Sequence, residues 1–214
     1  MNEEVIHYIL VRSRRKTFSL SVNGDGSVVV RAPNAAKKAE TDAFVERHLG
    51  WIAARREVLS SAQLDLSDGA AAAVFGRSYT IATGRPRFAG GTVFLPTENR
   101  ALALAALLKR TARKQMAALT AEYAVRFGFV YAGVRITSAR GRWGSCNAKG
   151  AIAYSFRTAF LSEKQARYIV VHELCHTRHL DHSAAFWSEV GAILPDYAQT
   201  RRSLRKASVV MNWL

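Results

Sequence analysis

A chain of 214 residues, 49% of them apolar, can bury a core as one compact domain or as two small lobes sharing one, and is too apolar to stay disordered. Two cysteines exclude a disulfide framework, and the longest apolar run, ALALAALL at 101–108, is far short of a membrane span. The formal net charge of +15 gives either a field that attracts nucleic acid, nucleotides or acidic substrates, or simply a basic solvated surface.

The start, MNEEVIHYIL, has no basic segment followed by an apolar one, so no secretory signal is expected. With so few cysteines, a reduced, cytoplasmic protein is the simplest expectation. IHYILVRS and KTFSLSV read as a strand pair, NGDGS as a turn and VVVRAP as a further strand, ended by Pro33 and Asn34. Residues 35–60 read as one helix with Phe44, Val45, Leu49 and Ile52 as its apolar stripe. Glycine-punctuated short strands are expected over 61–97.

A long helix is predicted over 98–127. Leu104, Leu108, Ala112, Met116, Leu119 and Tyr123 recur every three or four residues, and Gly128 follows as a stop. Two strands are expected at 133–140 and 150–157, joined by a loop holding Arg142, Trp143, Gly144, Ser145 and Cys146. Ser162 caps a helix running through SEKQARYIVVHELCH, and a final helix spans Ser183 to Leu194, before Pro195. Basic residues gather at RSRRK (12–16), Lys109–Lys114 and Arg201–Lys206, with no zinc-finger or RNP pattern beside them. Composition suggests a β-rich part over 1–97 with one helix, and a core over 98–214.

The stretch HELCHTRHLDH at 172–182 holds four of the chain's six histidines. His172 and His176 are four apart, so on a helix both rings can reach one metal ion. Glu173 lies on the flank of that face, where a carboxylate can act as general base on water held by the metal. A catalytic site needs a third protein ligand. His182 would be about 15 Å from His172 along a continuous helix, so the chain must turn back after His176. His179 stands where some such proteins place glycine, and it is expected there with positive φ. Asp181 or Ser183 would then cap the next helix. His179 and Glu189 remain rival third ligands, and all the histidines could be structural. Cys175 reads as a small core residue, and Cys146 as a buried free thiol, with a metal or redox role as the alternative. Phe186, Trp187, Val190 and Leu194 sit at helical spacing for core packing.

RWGSC at 142–146, YIVVHELCH at 168–176 and DHSAAFW at 181–187, with LVRSRRK, VVVRAP and Trp51 before them, resemble the YgjP-like family of metal-dependent hydrolases. That family, also described as a metallopeptidase domain, is related in its helix motif to SprT-like proteases. The resemblance covers most of the chain. It implies an α+β fold with a zincin-like catalytic core behind a β-rich N-terminal part. It implies His172, His176 and His182 as Zn2+ ligands and Glu173 as acid/base. The family usually has Asn before the third histidine; Asp181 keeps the capping chemistry.

On that reading the protein is a zinc metallopeptidase. The alternatives are a metal-dependent pyrophosphatase acting on nucleotides such as UTP, and a nucleic-acid-associated protein with a structural zinc. The substrate would then be a peptide, a protein or a nucleotide. Arg142, Tyr154 and Tyr168 are candidate donors to a developing oxyanion. The strand at 150–157 is a candidate for pairing with an extended peptide.

Overall fold

The computed structural model describes residues 6–23, 25–61, 64–212 and 214. The acidic start over 1–5, Gly24 of the turn and the side chain of Lys206 lie outside what is described. The described residues form a mixed α/β structure of ten strands in three sheets and six α-helices. They fall into two compact units that divide after residue 63.

The first unit holds β1 (Tyr8–Ser13), β2 (Ser19–Val22) and β3 (Val28–Pro33). The first two strands do not pair with each other as expected. β3 lies between them, parallel to β1 and antiparallel to β2. Its Val28, Val29, Val30 and Ala32 are all buried, and a strand apolar on both faces belongs in the middle of a sheet. The single helix expected over 35–60 is two: α1 (Lys38–Glu46) and α2 (Leu49–Ser61). The break falls at Arg47 and His48, where His48 Nδ1 turns back to the Phe44 carbonyl at 2.7 Å. Val45 and Ile52 are buried, while Leu49 is exposed.

The second unit opens with β4 (Ala71–Val74), β5 (Arg77–Thr83), β6 (Arg87–Ala89) and β7 (Thr92–Leu95), in the sheet order β4-β5-β7-β6. Residues 64–97, grouped by composition with the N-terminal part, share a core with the long helix α3 (Arg100–Phe127). All six residues of the predicted α3 stripe are buried. Gly128 ends α3 at φ 68°, a left-handed conformation that glycine adopts without strain.

Next come β8 (Gly133–Thr137), β9 (Gly144–Cys146) and β10 (Ala151–Ser155). Residues 144–146, expected in a loop, form a strand. The sheet order is β8-β10-β9, with β10 parallel to β8 and antiparallel to β9. Both edges of β10 are therefore taken, and it cannot receive an added strand. A 3-10 turn at Phe156–Phe160 leads into α4 (Glu163–Cys175). Ser162 Oγ accepts from the Gln165 amide, and Gln165 Oε1 accepts from the Ser162 amide, a reciprocal capping box.

α5 (Ala184–Ile193) starts after Ser183 as predicted. It is not the last helix. Pro195 ends it, and α6 (Tyr197–Ala207) follows. Leu204 of α6 is buried in the same core as Val170, Val171 and Leu174 of α4. No described helix is long and apolar enough to cross a membrane.

The cap at Ser162 gives a direct check on the start of α4. Ser162→Ala removes an acceptor for an otherwise orphaned amide and should destabilise the protein by about 1 kcal/mol. Ser162→Gly should cost less. Chemical denaturation measures both.

Candidate metal centre and active site

Helix α4 presents Tyr168 one turn before His172 and its neighbour Glu173, and ends at His176, its C-cap. The chain then reverses, but without a left-handed residue. His179 is not among the positive-φ residues, which corrects the expectation for that position. The helical turn simply runs on: the amides of Arg178 and His179 both donate to the Cys175 carbonyl, at 3.1 and 2.9 Å. Side chains then do what a glycine would otherwise have allowed. The Arg178 guanidinium donates to the carbonyls of Phe127 and Gly128, at 3.0 and 2.7 Å, covers the Phe129 ring and pairs with Glu189. Glu189 also faces His179 Nε2 at 3.0 Å. The two rival ligands are thus engaged with each other. Asp181 Oδ1 accepts from the Ser183 amide at 3.1 Å, which seats His182 just before α5.

The reversal brings His172, His176 and His182 together. One nitrogen from each lies within 4.8 Å of the others. The ring centroids form a near-equilateral triangle of 4.9, 5.0 and 4.7 Å. His172 Nε2 and His182 Nε2 are 3.2 Å apart. Nitrogen donors about 2.0–2.1 Å from a tetrahedral metal ion stand about 3.3 Å from each other, so the donor set fits a metal ion. His176 Nδ1 lies 2.9 Å from the His179 carbonyl. A carbonyl only accepts, so this nitrogen carries the proton and the other keeps its lone pair. Burial first, and then the neighbouring histidines and Arg201, push the His172 pKa down to about 3. Burial is also the main cause that lowers His182. Neutral imidazoles are the form that binds metal.

Phe186, fully buried on α5, supports all three rings. It stacks on His176 at 4.5 Å and meets His172 and His182 edge-on at 5.0 and 4.9 Å. Trp187 stacks on His182 and on Tyr197. These two aromatics pack as the helical spacing predicts, and the rings they pack against are the cluster itself.

Glu173 is buried, and its Oε2 has no hydrogen-bond partner among the described residues; the same holds for His172 Nδ1. Orphans of this kind in a folded protein point to a functional site. Burial raises the Glu173 pKa to about 8, with Arg142 drawing it back. Gly144 of β9 faces this carboxylate: a Cβ there would stand 2.5 Å from Oε1 and 2.7 Å from Cγ. Only glycine leaves Glu173 where it is.

A cavity of about 410 Å³ opens beside Glu173, bordered by Arg142, Gly144, Tyr168, His172 and Arg201 among others. Of the three candidate oxyanion donors, Arg142 and Tyr168 border it. Tyr154 does not. It is fully buried, its hydroxyl shared with Thr120 at 3.1 Å. Burial raises the Tyr168 pKa to about 12, keeping its hydroxyl a donor. Arg201, in the sequence only part of a basic group, is carried to the site by α6, a helix not predicted from the sequence. Asp196 after Pro195, followed by Tyr197, Thr200 and Leu204 at helical spacing, is the signal that marks that helix. Cys175 is in the core, where burial pushes its thiol to about 12, and it lies outside the histidine cluster.

The family model described as "YgjP-like, metallopeptidase domain" matches residues 16–207. No curated protein matches significantly. Among solved structures, the metallopeptidase zymogen of Pyrococcus abyssi abylysin is 23% identical over 43% of this chain and 93% of that chain, with a TM-score of 0.40.

The burial of Glu173 has a pH signature in metal-free protein. Below about pH 4.5 its carboxyl is protonated in both folded and unfolded chains. Between there and about pH 8 the unfolded carboxyl ionises and the buried one does not, so the fold loses stability as pH rises. Wild type should lose on the order of a few kcal/mol relative to Glu173→Gln between pH 5 and pH 8. Denaturant titrations in chelator read this difference, and parallel pH curves would contradict the burial of an unpaired carboxyl.

Proposed function

The chain belongs to the YgjP-like metallopeptidase family, and on that premise we propose that it is a zinc peptidase held together by His172, His176 and His182, with Glu173 as general base. The observation that carries this reading is the convergence of three imidazoles within 4.8 Å, next to a buried carboxylate with a free oxygen. All-nitrogen ligation suits zinc, and three protein ligands leave a position for chemistry.

Zinc held by His172, His176 and His182 would supply an activated water and a Lewis acid for the scissile carbonyl. Glu173 takes the proton of the attacking water and returns it to the leaving amine. Gly144 keeps the carboxylate in position by presenting no side chain to it. Tyr168, at the cavity with its hydroxyl kept protonated, is the donor available to the developing oxyanion, and Arg142 borders the same cavity as a substrate contact. β9 supports a peptide substrate: it is the outer strand of its sheet, beside Glu173, so an extended chain can pair with its outer edge. A structural zinc is less well supported, because such sites take four protein ligands, often cysteine, and the described cluster holds three histidines.

Protein purified without a histidine tag should carry about one zinc per chain, and His182→Ala should lose most of it. Equal zinc in both would return the third position to His179, Glu189 or water. Glu173→Gln should keep the metal and lose about 10²–10⁴-fold in peptide hydrolysis. Gly144→Ala should also keep the metal while losing at least about 10²-fold, because the carboxylate must swing away. Zinc content and peptide turnover, measured on the same samples, check all three.

A further inference from the structure

The cavity beside Glu173 has arginine on two sides. Arg142 comes from the segment between β8 and β9, while Arg201 and Arg205 stand one turn apart on α6. Between them the surface is apolar, from Ile169 of α4 and Leu204 of α6. Among the described residues, Glu173 is the only carboxylate that borders the cavity. None of the three guanidiniums has an ion-pair partner among the described residues. Three like charges around one hollow repel each other, and no described carboxylate forms an ion pair with any of them.

Arg201 is also held in place. Its guanidinium lies over the Trp187 ring at 4.6 Å, and Trp187 stacks on His182 at 5.5 Å. A cation fixed on an aromatic face is not a freely solvated side chain. The stack ties its position to that of the metal centre. Its field reaches His172, His182 and Tyr168, each of which it shifts downward.

We propose that this cavity is a specificity pocket for an acidic side chain of a peptide substrate, next to the bond that is cleaved. The carboxylate meets Arg201 and Arg142, with Arg205 at the rim, and the aliphatic stem rests on Ile169 and Leu204. Guanidinium groups suit this task because their planar forks match a carboxylate in two hydrogen bonds. A volume of about 410 Å³ accommodates one such side chain with its flanking backbone. The adjoining outer edge of β9 favours a peptide over a nucleotide as the bearer of the charge. The inference rests on the peptidase reading above and names the substrate class for it.

The test uses zinc-loaded full-length protein and a mixed peptide library, with cleavage sites read by mass spectrometry. Asp or Glu should be enriched beside the cleaved bonds. In a matched pair, changing that Glu to Gln should lower kcat/KM by about 10–100-fold. Arg201→Gln and Arg142→Gln, one from each wall, should each bring that ratio towards one while retaining zinc. A binding measurement separates recognition from turnover: zinc-loaded Glu173→Gln should bind the Glu peptide about tenfold or more tighter than the Gln peptide. Cleavage without acidic preference, a preference unmoved in both arginine variants, or equal binding of the two peptides would overturn the pocket and leave the peptidase standing. No peptide cleavage, with Glu173-dependent hydrolysis of nucleoside triphosphates instead, would overturn the peptidase reading and the pocket with it.

Discussion

Three imidazoles crowded around one point are the constraint on which the rest of the second unit turns. They reach that point from two different elements, α4 and the segment before α5, and only a sharp reversal between them allows it. The reversal is held by Arg178, which ties residues 176–182 to the end of α3 through two carbonyls and to α5 through Glu189. Phe186 then fills the space behind the rings. Each contact removes freedom that the histidines would otherwise lose on meeting a metal ion, which is what preorganisation supplies to affinity. Burial favours the neutral form of His172 and leaves Glu173 with an unpaired oxygen. A divalent cation resolves both conditions, since it takes up the lone pairs and favours the ionised carboxylate.

The site was legible in the sequence where local spacing decides geometry. Histidines at i and i+4 with a glutamate between them need only a helix to become a cluster, and Ser162 announced that helix. The stripe of α3 was legible for the same reason: a long 3.6-residue period has one reading. Resemblance then placed His182 with them.

Other features rest on contacts distant in sequence. Nothing local in VVVRAP says which strands flank it; the rule that a doubly buried strand sits centrally does. GSC at 144–146 is too short to show a period, and it is a strand only because Ile152, Ala153 and Tyr154 lie opposite. His179 was given a left-handed backbone because glycine fills that place elsewhere, whereas here side-chain bonds from Arg178 make the turn. α6 was overlooked because Pro195 looked like an end and the residues after it are largely charged. With it went Arg201, Leu204 and Arg205, one whole wall of the cavity. The basic charge, read at first as a diffuse property of the surface, turns out to include three arginines at the cavity itself.

The most direct test of the central claim is X-ray absorption at the zinc edge on zinc-loaded protein. Three histidines and one water oxygen predict nitrogen and oxygen neighbours at about 2.0–2.1 Å, with the outer-shell scattering of three imidazole rings, falling to two in His182→Ala. A sulfur neighbour at about 2.3 Å, from Cys146 or Cys175, or an imidazole count that stays the same in the variant, would contradict the three-histidine centre.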